Sequence, residues 1–168
     1  MAAAKPGTVV ITDTCTGFLA LTKDMTLVGG RGDVVLLGRP GSESGSPRVF
    51  DVASGATVTV RNLVLQPNGH DGDEAIGNQG TLRLVESTVA GGPTTAIRNA
   101  GTLVVQRSTL TGQGQSDHHG NPAIMNSGDA TIIGSVITRA SNSEHAGGVA
   151  NSGTMVIKRS EVADCRGW

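Results

Sequence analysis

The chain contains four histidines, and all three polar stretches that hold them also carry acids. His70 precedes Asp71, Asp73 and Glu74 in "QPNGHDGDE" (residues 66–74). His118 and His119 follow Asp117 in "TGQGQSDHHGNP" (residues 111–122), and His145 follows Glu144 in "RASNSEHAG" (residues 139–147). Imidazole beside carboxylate is the donor set of a divalent transition-metal ion. On that reading His118, His119, Glu144 and His145 are the candidate ligands, with Asp117 beside them, and a divalent metal ion is the one cofactor suggested. A second chemistry comes from loop length. The short "AGGPTT" (residues 90–95) lies between two longer polar stretches, which leaves a notch with Asp71, Asp73 and Glu74 on one side and Asp117 on the other. Carboxylates facing each other across a groove suit glycoside hydrolysis or cation-assisted sugar binding. Asp73 and Asp117 are then the catalytic candidates. Arg83 is a third: Arg61 and Arg83 project from nearby strands, where guanidinium groups can neutralise an acidic sugar.

These groups need elements to position them, and the sequence supplies an internal repeat. "IGNQGTLRLVESTVAG", "IRNAGTLVVQRSTLTG", "IMNSGDATIIGSVITR" and "VANSGTMVIKRSEVAD" are variants of one unit. Asn78, Asn99, Asn126 and Asn151 recur at intervals of 21, 27 and 25 residues. Gly80, Gly101, Gly128 and Gly153 keep the same phase, as do Ser87, Ser108, Ser135 and Ser160. Three residue types in constant phase identify repeats near residues 54–75, 76–96, 97–123, 124–148 and 149–168, with less regular opening coils over 8–53. Within each copy the apolar period is two. Leu82/Leu84, Leu103/Val105, Ala130/Ile132 and Met155/Ile157 face one side. Arg83/Val85, Val104/Gln106, Thr131/Ile133 and Val156/Lys158 face the other.

Three short strands in each copy, with no helical period, predict an all-β fold: a single domain over residues 1–168 built as a right-handed parallel β-helix of about six coils. One coil cannot bury its inward face alone, and stacking joins the inward residues into a continuous column. Insertions in such a solenoid collect along one edge, so the polar stretches share an edge. The Asn-x-Gly signature is expected to form a sharp corner in left-handed backbone, and the serines a second corner.

Composition agrees with strands and tight turns. Glycine numbers 25, tyrosine is absent, and the apolar content is mostly aliphatic. A net charge of -1 gives no electrostatic case for nucleic acid as a partner. No apolar run is long enough for a transmembrane helix, and "MAAAKPG" lacks the order of a signal peptide, so a cytoplasmic location stays open. Cys15 and Cys165 lie near opposite ends, beyond disulfide reach in an elongated rod. The coils at the two ends expose their apolar column, with Trp168 placed to fold over one of them, so the expectation is either a piece of a longer solenoid or self-association through the ends as a dimer.

"TAIRNAGTLVVQRSTLTG" and "GGVANSGTMVIKRSEVAD" resemble the right-handed parallel β-helix repeats of bacterial surface and secreted proteins, the "GGAI-x-N-x-GTL" units of the polymorphic outer membrane protein type. The resemblance covers about residues 8–165. It implies an extracellular or cell-surface location and a non-enzymatic binding or structural module, with a polysaccharide or surface component as ligand. The same solenoid also carries polysaccharide lyases, epimerases and glycoside hydrolases, so an enzyme acting on polysaccharide through the loop edge or the Arg61/Arg83 face is the alternative.

Overall fold

The computed structural model describes residues 7–31, 33–38, 48–68, 74–92, 95–113, 122–140 and 147–166. Every element in them is a β-strand or a turn. The first coil holds β1 (Gly7–Ile11), β2 (Cys15–Thr16) and β3 (Leu19–Leu21). The second holds β4 (Met25–Gly29), β5 (Val35–Leu37) and β6 (Phe50–Val52), and the third β7 (Thr57–Arg61), β8 (Val64–Gln66) and β9 (Ile76–Asn78). Next come β10 (Thr81–Val85), β11 (Thr88–Gly92) and β12 (Ile97–Asn99), then β13 (Thr102–Gln106), β14 (Thr109–Gln113) and β15 (Ile124–Asn126). The sixth coil has β16 (Asp129–Ile133), β17 (Val136–Thr138) and β18 (Val149–Asn151). β19 (Thr154–Lys158) and β20 (Glu161–Ala163) follow. Successive strands join three different sheets in strict rotation, and all pairings are parallel. This is the right-handed parallel β-helix. Two sheets are seven strands deep and the third has six, giving a rod of about 30 Å at the usual strand spacing.

Register explains the repeat. Val60, Leu84, Val105 and Ile132 lie opposite one another in the first sheet. Leu65, Val89, Leu110 and Ile137 do so in the second, and Phe50, Ile76, Ile97 and Ile124 in the third. These twelve side chains are buried and converge on one core. Each full burial contributes about 1.5–3 kcal/mol, and the core is built without a tyrosine because aliphatic columns stack directly. The end coils remain open on one side. Val9, Val10, Phe18 and Leu19 are exposed at one end, and Val156, Ile157 and Val162 at the other. Cys15 and Cys165 are both free thiols, one in each end region. Trp168 lies outside the described residues.

Two expectations are corrected. The asparagines do not form left-handed corners. Asn78, Asn99, Asn126 and Asn151 are the last residues of third-sheet strands, and the first three are buried. The left-handed position is one residue before the serine: Glu86, Arg107, Gly134 and Arg159 all have φ between 46° and 55°, and Asn62, which precedes Leu63 at the same point of its coil, has φ of 52°. The serines hold that corner. The N–H groups of Ser87, Ser108 and Ser135 donate to the hydroxyls of Ser108, Ser135 and Ser160 on the next coil at 3.1–3.2 Å. The glycines of the Asn-x-Gly signature answer to close packing. A Cβ on Gly101 would collide with the Gly80 carbonyl oxygen, and one on Gly128 with that of Gly101. The second correction concerns Val85. It was expected on the open face, yet it is buried, lying in register between the long side chains of Arg61 and Gln106.

Candidate functional site

The longest connections run from the second sheet to the third, and most of their residues lie outside the described residues; a shorter expansion, residues 30–34, falls between β4 and β5. Of the second-to-third connections, that between β11 and β12 is the shortest after the opening coil. Asp71, Asp73, Asp117, His118, His119, Glu144 and His145 lie outside the described residues. Among the described residues no group of three or more His, Cys, Asp or Glu is placed to hold a metal ion. Arg61 and Arg83 are both exposed on the first sheet, but they do not stand opposite each other. Arg61 faces Val85 and Arg83 faces Thr59, a diagonal offset of two residues. Arg83 donates to Gln106 Oε1 at 3.4 Å.

Glu74 is the sequence candidate that the fold draws into a constellation. It directly precedes the Ala75–Ile76 start of the third-sheet segment, at the end of its insertion. Its side chain is only 5 % exposed. Arg48 Nη2 lies 2.8 Å from Glu74 Oε1, and Arg98 Nε lies 3.2 Å from Oε2. Arg48 also holds Asp51, with Nη1 at 2.9 Å and 3.2 Å from its two carboxylate oxygens. The result is a chain of alternating charge, Asp51–Arg48–Glu74–Arg98, laid across three coils. A carboxylate this deeply buried is costly to desolvate unless it is fully paired, and both oxygens of Glu74 are.

The register of the third sheet makes this possible. Its middle, outward-facing column reads Ala20, Asp51, Gly77, Arg98, Met125, Ala150. Gly77 separates the acid from the arginine. A Cβ at Gly77 would collide with the Asp51 carboxylate and come within 3.4 Å of Glu74 Oε1, so the missing side chain is the space in which the carboxylates sit. Reading that column off the aligned repeats would have found Asp51 and Arg98. Attention to the insertions alone missed them, and Arg48 with them.

A depression of about 300 Å³ lies over this network, floored by Ala20, Gly77, Ala53 and Ala100 and walled by Arg48, Asp51, Glu74 and Arg98. A second, of about 420 Å³, begins at the same Arg98 and Ala100 and continues over Met125, Ser127, Ala150 and Ser152. The two share Arg98 and Ala100, so they adjoin as a shallow trough across the strands, with Arg98 lining both. Small residues make the floor and hydroxyl and amide side chains line it. No helix among the described residues is long and apolar enough to cross a membrane. Comparison with protein-family models, curated proteins and solved structures returned no match for this chain.

Proposed function

We propose that the chain is a non-enzymatic binding module of the cell-surface type, and that its ligand is a carbohydrate chain lying in the third-sheet trough. The observation that carries this is the Asp51–Arg48–Glu74–Arg98 network under the two adjoining depressions. It holds a guanidinium and a carboxylate at fixed positions in a surface that is otherwise small and flat. The backbone amides of the third sheet are used between coils, so recognition falls to side chains. Gln79 and Arg98 offer donors, and Asp51 with the Ser127 and Ser152 hydroxyl oxygens, whose protons go to the Asn99 and Asn126 carbonyls, offers acceptors for sugar hydroxyls. The floor of Ala and Gly lets a sugar ring approach the backbone closely.

The engagement of Glu74 favours binding over catalysis. Both its oxygens are occupied by guanidinium groups, and Asp51 is held by Arg48. Neither carboxylate is offered freely to a glycosidic bond. The test is retention of the protein on a panel of immobilised neutral and acidic polysaccharides, with product analysis of the same mixtures. Retention that Arg98→Ala weakens is the expected result. New reducing or unsaturated ends would instead favour the lyase, epimerase or glycoside hydrolase reading, and no retention on any polymer would remove the proposal.

A further inference from the structure

Charge is unevenly distributed along the trough. Arg98 stands where the two depressions meet and lines both. Its side chain is 57 % exposed, and its Nε is bound to Glu74. Among the described residues its two terminal nitrogens have no hydrogen-bond partner. They form a planar fork suited to a carboxylate. Because Glu74 is itself fixed by Arg48, the fork is pre-oriented and loses little freedom on binding. To one side of Arg98 the lining among the described residues is uncharged: Met125, Ser127, Ala150, Ser152, Asn126 and Asn151. To the other side lies Asp51, two strands away, roughly 10 Å at the usual spacing, with its side chain 35 % exposed and its partner Arg48 shared with Glu74, so that two carboxylates divide one guanidinium there.

We infer that Arg98 selects a single uronic-acid residue flanked on both sides by neutral sugars, and that Asp51 rejects a second acid nearby. This rests on the carbohydrate-binding reading above and adds the ligand class. A site meant for a free small anion would be a closed pocket; here the cationic fork sits where two open depressions adjoin, so the acidic group belongs to the interior of a linear chain. A polymer with a carboxylate on every residue would bring one against Asp51, and like charges placed together are a common device of selectivity. A neutral polymer would leave the Arg98 fork without its counter-charge.

The test is binding to three soluble polymers at low ionic strength, with calorimetry as the readout. Deacylated gellan has glucuronates separated by runs of neutral sugars, polygalacturonate is charged throughout, and dextran is neutral. The unaltered protein should bind gellan at least tenfold more tightly than either of the others. Arg98→Ala should bring gellan down to the dextran level, and Arg98→Lys should restore only part of the loss because it lacks the fork. Asp51→Asn should raise polygalacturonate binding several-fold and leave dextran unchanged, with thermal melts confirming that each variant is folded. Equal binding of gellan and polygalacturonate by the unaltered protein, or gellan binding unchanged by Arg98→Ala, would overturn the inference while leaving carbohydrate binding intact. Failure to bind all three polymers would count against the binding reading itself.

Discussion

Asn99 Nδ2 donates to Asn126 Oδ1 on the next coil at 2.6 Å, and Asn99 Oδ1 accepts from Asn78 Nδ2 at the same distance. Asn126 passes the pattern to Asn151. Each Nδ2 of the first three asparagines also donates to backbone carbonyls, so the buried amides are tied to each other and to the turns beside them. Asn99→Ala leaves Asn78 Nδ2 and Asn126 Oδ1 without a ladder partner in a buried setting, and is expected to cost about 2–4 kcal/mol. Asn151→Ala, at the exposed end of the ladder, is expected to cost under about 1 kcal/mol. Urea unfolding of both variants checks the contrast; equal losses would show that the ladder contributes little beyond local turns.

The ladder stops at Asn78. The next position toward the N-terminus is Val52, opposite it in register, and among the described residues nothing donates to the buried Asn78 Oδ1. Val52→Asn places an amide donor there. Relative to Val52→Ala, the asparagine variant is expected to be more stable by about 1 kcal/mol. Chemical denaturation of the two variants decides this, and an alanine variant as stable as the asparagine one would count against it.

Two glycines of similar appearance in the sequence should respond oppositely. Gly101→Ala pushes a Cβ against the Gly80 carbonyl, and the coils must separate to accept it, so a loss of roughly 3 kcal/mol or more is expected. Gly134 has φ of 55°, but its space is open, and Glu86, Arg107 and Arg159 hold the same conformation in the same column. Gly134→Asn is therefore expected to stay within about 1 kcal/mol of the unaltered protein. Thermal melts of the two variants give the comparison.

The ion network is asymmetric in what its removal does. Glu74→Gln leaves the half-buried Arg48 guanidinium and the Arg98 Nε short of their counter-charge. About 2–4 kcal/mol of destabilisation is expected from breaking a buried pair. Arg98→Ala removes a mostly exposed partner at the end of the network but leaves Glu74 Oε2 without it while Arg48 still holds Oε1, so its stability cost should be smaller, about 1–2 kcal/mol. Denaturation midpoints of the two variants test the order, and a larger loss for Arg98→Ala would mean that Arg98 is principally structural.

The sequence by itself determined the coil. Period-two apolar pairs and three phased residue types fixed which side chains face inward, because a strand's side chains alternate strictly and identical coils must stack in register. Two matters were decided only by tertiary structure. One is why the glycines are glycines. Spacing marks Gly80, Gly101, Gly128 and Gly153, but the carbonyl that excludes a Cβ comes from the neighbouring coil, roughly 25 residues away in sequence, while the left-handed backbone sits at Glu86 and Arg107, where composition gives no hint of it. The other is the site. Arg48, Asp51, Glu74 and Arg98 belong to three coils and span 50 residues of chain. Their ion pairs exist because parallel stacking sets Asp51, Gly77 and Arg98 side by side, and because the glycine between them leaves room for the carboxylates.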